Sequence, residues 1–424
     1  MTLILGEPSA AQSPAPSSPP PTESVPSFDV GGQLRERFES SHNPGFGLAA
    51  PADNDYLLHR ADVFFDLEPG DELRARVELV GGFTSGWPGT PPPTQDDPLD
   101  LLQAYVEPSM RVVNGRLAVR VGREELALGS SRLVSIRESP NIRRAFDGVR
   151  AIWTRGEGRS VTAFFVRPVF PQDGTFDDRS SSEQRFAGLY STRPIGGLEG
   201  VGVDDYYLRL DRANALFAQG VAREHRHTVG ARGFGKRDAW DWNVEGAWQW
   251  GSFGEASIRA WTLSVDAGFT FADWPLSPRL GIKVDEISGD RDLHDAKLGT
   301  FNPLFPRLPY FSEANLATPA NLRDLQPSVR LRLSERLTLS VSWDGLRKFA
   351  EADAFYAPPL TPVAGTANTP GSRIGWQAST LVEWQISNRL ELDATYVGFE
   401  PNAVTRDAGG RAGNFAGAWL EWTF

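Results

Sequence analysis

The sequence predicts an all-β protein, a single transmembrane antiparallel β-barrel of about 18 strands with short turns at one end and long loops at the other. Three observations lead to this prediction. Apolar and polar residues alternate over segments of about ten residues, which is the period of a strand. Long and short connections between these segments follow each other in turn. No apolar run approaches the roughly 18–20 residues of a spanning helix, so a membrane crossing would use strands.

Composition agrees with this fold class and excludes several others. The 424 residues include 13 Trp and 25 Phe, which suits aromatic belts at the two interfaces of a bilayer. There is no cysteine, which excludes disulfides and thiolate metal sites. The net charge of −11 argues against a nucleic-acid partner. Almost all cations are arginine, which reflects either a GC-rich genome or guanidinium groups placed to bind carboxylates bidentately.

Residues 1–27 are predicted to lie outside the barrel. Residues 8–12 resemble the end of a signal peptide near its cleavage site, although the apolar run before them is short. Residues 13–27 are rich in proline and serine and should be disordered or polyproline-like. The predicted organisation is a signal-peptide remnant and disordered lead over residues 1–27, followed by one barrel over residues 28–424.

The alternation predicts a first strand at residues 28–39. One face carries Phe28, Val30, Leu34 and Phe38, and the other carries Asp29, Gln33, Arg35 and Arg37. Glu36 falls on the apolar face as an exception. The same pattern recurs at 73–80, 116–121, 240–250, 329–333, 336–344, 376–385 and 390–396. We expect the apolar face to meet lipid and the charged face to line a water-filled lumen.

A soluble β-sandwich would show the same period, and two features favour a membrane barrel instead. Aromatic residues stand near strand ends on the apolar face, as an interfacial belt would place them: Trp240, Trp250, Trp343, Trp376, Trp384 and Tyr396. The polar face is charged along its whole length, which suits a wet lumen and not a dry core.

The connections predict which end of the barrel faces which compartment. Long segments cover 40–54, 85–98, 124–141, 167–184, 287–327, 346–372 and 400–411. Short ones cover 68–71, 109–115, 155–159, 235–238, 334–336 and 387–389, and 192–202 is intermediate. The short connections should be periplasmic turns and the long ones extracellular loops.

The last segment, residues 417–424, is predicted to pair with the first strand and close the barrel. Ala418, Leu420, Trp422 and Phe424 share one face, and an unpaired apolar edge at this position would aggregate. The pattern resembles the assembly signal of bacterial outer-membrane barrels. Leu420, Trp422 and Phe424 are therefore the predicted signal, read by the barrel-assembly machinery.

Several motifs resemble those of the alginate export family of outer-membrane barrels. They lie at residues 121–129, 131–134 and 140–150, then at 227–232 and 241–251, and finally at 288–292, 299–306 and 321–322. The resemblance covers the chain from about residue 28 to its end. It implies an 18-stranded, monomeric barrel in lipid and lipopolysaccharide. It also implies an arginine-rich constriction that passes an anionic polysaccharide outward. We further expect a periplasmic secretion complex as a partner and no enzymatic activity.

Strand parity supplies the candidate lumen residues. The predicted inward arginines are Arg35, Arg37, Arg74, Arg76, Arg116, Arg120, Arg144, Arg150, Arg209, Arg330 and Arg332, with Arg123 at the start of a charged loop. The inward acids are Glu78, Asp211, Asp241, Glu245, Glu383, Glu391 and Asp393. They form either wall ladders of cross-strand pairs or a basic stripe that binds a polyanion weakly at many sites.

Two long loops and two small clusters leave further alternatives. The loop 124–141 either folds into the lumen or stays on the surface, and the apolar loop 287–327 should pack as a cap or plug. Asp290 and Asp292 are weak Ca²⁺ candidates within an acidic run that does not match an EF-hand. His225 and His227 form either a metal pair or, more simply, a pair at the rim.

The predicted function is passive diffusion of an alginate-like polyuronate, or a related anionic solute, through an arginine-rich lumen. One alternative is an uptake porin for small organic solutes. Another is a structural or adhesive barrel with a closed lumen. An enzymatic barrel is disfavoured because the sequence contains no nucleophile elbow, phosphate-binding glycine loop or zinc-protease motif.

Overall fold

The computed structural model describes residues 26–49 and 53–424. The chain is 65% strand and 2% helix, and eighteen long strands form one closed antiparallel barrel, as predicted. Residues 1–25 of the predicted lead lie outside the described residues, and the first strand begins at Ser27. Within the described ranges, no helix is long and apolar enough to cross a membrane.

The strands are numbered in chain order. The barrel strands are β1 Ser27–His42, β2 Asp53–Gly70, β3 Leu73–Ser85, β4 Asp97–Val112, β5 Gly115–Glu125, β6 Ala145–Arg155, β7 Arg159–Phe170, β9 Gln184–Pro194, β10 Val201–Phe217, β11 Gly220–Arg237, β12 Trp240–Phe253, β13 Ala256–Thr270, β14 Arg279–Ile287, β16 Leu322–Ser334, β17 Leu337–Lys348, β20 Arg373–Ser387, β21 Leu390–Pro401 and β22 Gly413–Thr423. Short strands β8 Arg179–Ser180, β15 Lys297–Leu298, β18 Tyr356–Ala357 and β19 Thr361–Pro362 lie in loops, as do a 3-10 turn, Gly45–Gly47, and a helix, Ala403–Asp407.

The barrel closes between its first and last strands. In the β1–β22 register, Phe38 lies opposite Ala418 and Gln33 lies opposite Thr423. The Phe424 N–H donates to the Gly32 carbonyl at 3.1 Å, and the Gly32 N–H donates to the Phe424 carbonyl at 3.2 Å. The predicted pairing of the two ends is therefore confirmed, and β22 leaves no free edge.

The outer surface of the barrel is apolar, as the alternation predicts. Large apolar side chains such as Phe38, Val77 and Trp248 are exposed, while their strand neighbours Arg37 and Glu78 are buried. Exposed apolar area of this extent suits contact with lipid. Glu36, the exception on this face, lies 2.5 Å from His59 Nδ1 on the neighbouring strand.

The connections divide into two ends. Short turns at 71–72, 113–114, 156–158, 238–239, 335–336 and 388–389 share one end with the start of β1 and the end of β22. The long loops share the other end. The expected alternation fails at 218–219 and 254–255, which are tight turns at the long-loop end. Length alternation is a tendency of such barrels and not a steric requirement, so these hairpins can close directly.

Two long loops fold into the barrel: residues 126–144, called here the first infolded loop, and residues 288–321, the second infolded loop. The Ser135 N–H donates to the Phe305 carbonyl and the Phe305 N–H donates to the Leu133 carbonyl, both at 2.9 Å. Phe305 is 6% exposed and packs edge-on against Phe146 of the wall. The second loop thus packs as the predicted plug, and the first takes the inward alternative.

Candidate lumen constriction

A chain of ion pairs lines the interior wall formed by β2 and β3. Arg74 and Arg76 both bind Asp66, and Arg76 lies 2.7 Å from Glu78. Glu78 is 2% exposed and also binds Arg143 of the first infolded loop at 2.7 Å. Each arginine is thus held by acids of the wall, so the charge of this stretch is largely neutralised.

The neighbouring wall of β4–β6 repeats this arrangement. Arg120 lies 2.7 Å from Glu107 and 3.0 Å from Glu124, and its guanidinium carbon is 3.9 Å from the Tyr105 ring centroid. Arg150 binds the same Glu124 at 2.8 Å. Two arginines therefore share two carboxylates, which favours the wall-ladder interpretation for these predicted residues.

The first infolded loop is attached to the wall by β1 and β2. Arg35 is 1% exposed and donates to the carbonyl oxygens of Glu138 at 2.8 Å and Pro140 at 3.1 Å. Arg60 lies 2.5 Å from the Glu138 carboxylate. Burial raises the pKa of Glu138, but Arg60, Arg143 and Arg35 outweigh it and lower that pKa to about 2. Arg35 therefore positions a loop.

The second infolded loop is attached through Arg37. This arginine is 1% exposed and lies 2.5 Å from Glu39 of its own strand and 2.9 Å from Glu313 of the loop. Its guanidinium carbon is 4.6 Å from the ring centroid of Trp419 on β22. Arg37 thus joins the closing seam of the barrel to the plug.

The opposite wall carries a cluster of acids. Asp285 on β14 lies opposite Asp324 on β16, and Asp344 lies on the next strand. Asp285 binds Arg132 of the first infolded loop at 2.8 Å and Lys283 at 3.6 Å. All three acids are at most 5% exposed. The interior is therefore acidic on one side and mixed on the other.

Arg137 and Arg144 of the first infolded loop differ from the wall arginines. Within the described residues, neither guanidinium has a carboxylate partner, and Arg137 Nε and Arg144 Nη1 are buried without a hydrogen bond. Burial lowers the pKa of both, and the charge of Arg137 lowers that of Arg144 further. Arg144 lies over Phe305, 5.1 Å from the ring centroid, where the two infolded loops meet.

The remaining predicted residues are dispersed along the barrel. Arg116 binds Ser109 and the Asp71 carbonyl at the short-turn end, and Arg332 is exposed near the same end. Arg330 lies 3.1 Å from Glu383, and Glu245 accepts a hydrogen bond from Ser130 of the first infolded loop at 2.8 Å. The same interior face carries Asp241, Glu391 and Asp393.

Arg209 and Asp211 lie on the outer face, so the prediction that they point inward is wrong. Arg209 lies opposite His227 and is exposed, whereas its neighbours Leu208 and Leu210 are 1% exposed. At Leu208 and Leu210 the interior face of β10 is apolar, because both side chains belong to a core that includes residues of the two infolded loops. On this strand, the apolar face that hydrophobicity assigns to lipid is therefore the face that points into the barrel.

Arg123 is also misplaced by the sequence prediction. Strand β5 continues to Glu125, and Arg123 lies on the face opposite Arg120 and Glu124. Its guanidinium is 2.9 Å from Asp147 and 3.7 Å from Asp100, near the long-loop end. It belongs to a separate acidic cluster and not to the lumen network.

The weak calcium candidates take local roles. The Asp292 N–H donates to Asp290 Oδ1 at 3.4 Å, and Asp292 Oδ1 accepts from the His294 N–H at 3.0 Å. Neither acid belongs to the group of three converging carboxylates found among the described residues. His225 binds Asp211 at 2.6 Å on the outer face, in keeping with a rim pair.

Several cationic side chains of the interior were not predicted from strand parity. Arg60, Arg226, Arg232 and Arg279 all bind interior acids, and Arg307 lies in the second infolded loop. Alternation around β11 could have identified Arg226 and Arg232, because both share a face with Thr228. Nothing in the local pattern could have identified Arg307, since its position depends on how a long loop folds.

Family comparison agrees with this architecture. A family model described as alginate export matches residues 27–419. The chain belongs to the alginate export family. It is therefore an outer-membrane channel-type barrel of bacteria, and its apolar outer face contacts the lipid of that membrane. A search of curated proteins found no significant match.

Solved structures with the same fold are porins of low sequence identity. OpdO of Pseudomonas aeruginosa matches with a TM-score of 0.64 and 10% identity, covering 94% of this chain and 97% of that one. OccK2 (OpdF) of the same organism, solved in complex with glucuronate, matches with a TM-score of 0.62, 11% identity, and coverage of 94% and 98%. A BenF-like porin from Pseudomonas fluorescens Pf-5 matches with 0.62, 9% identity, and coverage of 94% and 98%.

Proposed function

We propose that this barrel passes anionic, carboxylate-bearing sugars across the outer membrane by passive diffusion, and that an alginate-like polyuronate is its cargo. The observation that carries the proposal is the pair Arg137 and Arg144. These two arginines lie on a loop inside the barrel and have no acid to neutralise them within the described residues. An arriving carboxylate would relieve their mutual repulsion and their desolvation.

The wall arginines play a different part in this proposal. Arg74, Arg76, Arg120 and Arg150 are already bound to acids, so a carboxylate must compete for them. Such competition makes each site weak. Conduction requires binding that is favourable enough for entry and weak enough for release. A wall of acid-paired arginines beside one site of unpaired arginines meets that requirement.

The cargo class draws on two further observations. The family is named for alginate export, and a barrel of the same fold, OccK2, was solved with a bound uronate. A uronate polymer offers one carboxylate on every sugar, which suits planar guanidinium groups that bind carboxylates through two hydrogen bonds. We propose that the protein works as a monomer without enzymatic activity, assembled by the barrel-assembly machinery beside lipopolysaccharide, with a periplasmic secretion complex as partner.

A second candidate is an uptake porin for small organic anions. The two infolded loops favour it, because they fill much of the interior at the level of Phe305 and Phe146 and would hinder a polymer more than a monomer. The sequence of OccK2 is only 11% identical, so its uronate is a guide to chemistry and not to the size of the cargo.

Planar-bilayer recording of the purified wild-type protein separates the candidates. Under a salt gradient, the reversal potential gives the ion selectivity, and oligouronates are compared with neutral oligosaccharides of equal length as blockers. Anion selectivity with block by oligouronates alone supports polyuronate passage. Anion conductance that oligouronates do not block supports the small-solute porin. Absence of conductance would refute both and favour a closed structural or adhesive barrel.

A further inference from the structure

A second charged cluster lies at the long-loop end, outside the lumen network. One carboxylate oxygen from each of Asp97, Asp100 and Asp178 lies within 4.8 Å of the other two. Asp97 and Asp100 belong to the start of β4, and Asp178 belongs to the loop 171–183. Acids from two separate segments thus converge at one point of the rim.

Backbone hydrogen bonds hold the loop in this position. The Phe176 N–H donates to the Leu99 carbonyl at 3.0 Å. The N–H groups of Asp177 and Asp178 both donate to Asp100 Oδ2, at 2.8 and 3.1 Å. The convergence of the acids therefore follows from ordered backbone contacts and not from long, mobile side chains.

Positive charge is scarce around this cluster. Among the described residues, Arg123 is the one cation within ion-pair distance, and it lies 3.7 Å from Asp100. The same arginine lies closer to a different acid, Asp147, at 2.9 Å. Asp177 adds a further carboxylate whose Oδ1 is buried without a hydrogen bond. The cluster therefore carries an excess of negative charge that Arg123, which it shares with Asp147, does not balance.

Asp97 is the strongest evidence that a ligand is needed. It is 0% exposed, and neither of its carboxylate oxygens accepts a hydrogen bond. The Leu99 amide lies nearby but is not in hydrogen-bonding geometry. A buried carboxylate without a partner costs several kcal/mol unless it is neutralised or binds a cation. One of its oxygens lies within 4.8 Å of a carboxylate oxygen of Asp100 and of Asp178.

We propose that Asp97, Asp100 and Asp178 bind one calcium ion that fastens the loop 171–183 to the barrel rim. The donors are all hard oxygens, which suits Ca²⁺ or Mg²⁺ and not Zn²⁺, for which nitrogen or sulfur is preferred. Calcium accepts the irregular geometry that loop and strand together offer, whereas magnesium demands a near-ideal octahedron. Sites of extracellular modules bind calcium with Kd values on the order of 10⁻⁴–10⁻³ M, and we expect this range here.

The test uses the full-length protein in detergent, stripped with EDTA and titrated with CaCl₂ or MgCl₂ by calorimetry, with thermal unfolding measured in parallel. The variant is Asp97→Asn, and the matched control is Asp290→Asn, a 3% exposed rim acid that also has an unbonded oxygen. We expect one calcium per chain in the wild type and in Asp290→Asn, and affinity weaker by about tenfold or more in Asp97→Asn.

Thermal unfolding should show opposite effects in the two conditions. Without calcium, Asp97→Asn should raise Tm because it removes an uncompensated charge, and with calcium the wild type should gain stability while the variant does not. Asp178→Asn in the loop provides a second test that leaves the barrel wall unchanged. The proposal is overturned if the wild type shows no calcium-dependent shift, or if both aspartate variants bind calcium as the wild type does.

Discussion

Arg37 on the barrel wall lies 2.9 Å from Glu313 on the second infolded loop, and both side chains are almost fully buried. The pair joins residues 276 positions apart in the chain. It lies beside the seam between β1 and β22, where Arg37 also covers Trp419. Closure of the barrel and retention of the plug therefore depend on the same guanidinium.

Removal of this contact should loosen the plug. Glu313→Ala leaves Arg37 with Glu39 as its remaining partner, and loss of one buried charged hydrogen bond weakens the attachment by roughly 1–3 kcal/mol. We expect a larger and noisier single-channel conductance with the folded barrel retained. Asp205→Asn is the control, because Asp205 pairs with Arg193 at an exposed position and should leave conductance unchanged. Equal conductance in all three proteins would contradict the role of Glu313.

Arg120 and Arg209 provide a direct comparison of interior and exterior arginines. Arg120→Gln leaves Glu107 and Glu124 short of one buried partner and should lower the free energy of unfolding by about 1–3 kcal/mol. Arg209→Gln removes a half-exposed pair with Asp211 and should change it by less than about 0.5 kcal/mol. Urea-induced unfolding in lipid vesicles, followed by tryptophan fluorescence, measures both. A larger loss of unfolding free energy in Arg209→Gln than in Arg120→Gln would contradict the assignment of Arg120 to the interior and Arg209 to the outer face.

Close packing at the seam predicts a strong effect of one methyl group. A Cβ at Gly32 would lie 2.2 Å from the Asp62 carbonyl oxygen and 2.7 Å from Phe424 Cζ. Gly32→Ala should therefore separate β1 from its neighbours and reduce the fraction of folded, heat-modifiable barrel in the outer membrane. Gly233→Ala is the matched control, since a Cβ there meets no atom within 4 Å. Normal assembly of Gly32→Ala would show that the seam tolerates more space than the structure indicates.

The attachment of the first infolded loop should depend on pH. Arg60, Arg143 and Arg35 depress the pKa of Glu138 from 4.5 to about 2 despite its burial. A depressed carboxyl pKa adds stability above the unfolded value, and this stability is lost as the pH falls through the folded value. We expect conductance to be constant above pH 4.5 and to rise between about pH 4.5 and pH 2 as the loop detaches.

The matched variant for this pH effect is Glu138→Gln, which removes the charge at every pH. Its conductance should be raised already at pH 7 and should respond less to acid than that of the wild type. An identical acid response in both proteins would assign the effect to other carboxyl groups, such as those of the opposite wall.

The fold could be predicted because a lipid-facing strand repeats apolar residues at every second position. Trp240, Trp248 and Trp250 show this pattern clearly, and all three are exposed on the outer face. The pairing of the chain ends also followed from local sequence, since β22 needed a partner and β1 was the remaining edge.

The candidate site was less predictable because its geometry depends on loops. Parity failed at Arg209 because Leu208 and Leu210 belong to a core that includes residues of the two infolded loops. The ion pairs of Arg35 and Arg37 depend on Glu138 and Glu313, which are distant in sequence. Local periodicity identifies a face of a strand, but it does not tell which loop will cover that face.

The reversal potential of single channels under a KCl gradient shows directly whether Arg137 and Arg144 make the channel anion-selective. It is compared between the wild type and the double variant Arg137→Gln/Arg144→Gln. The control is Arg193→Gln/Arg209→Gln, which removes the same charge from exposed positions paired with Asp205 and Asp211. We expect an anion-selective wild type and control, and a double variant whose anion selectivity is reduced or abolished. A cation-selective wild type, or unchanged selectivity in the double variant, would contradict this expectation.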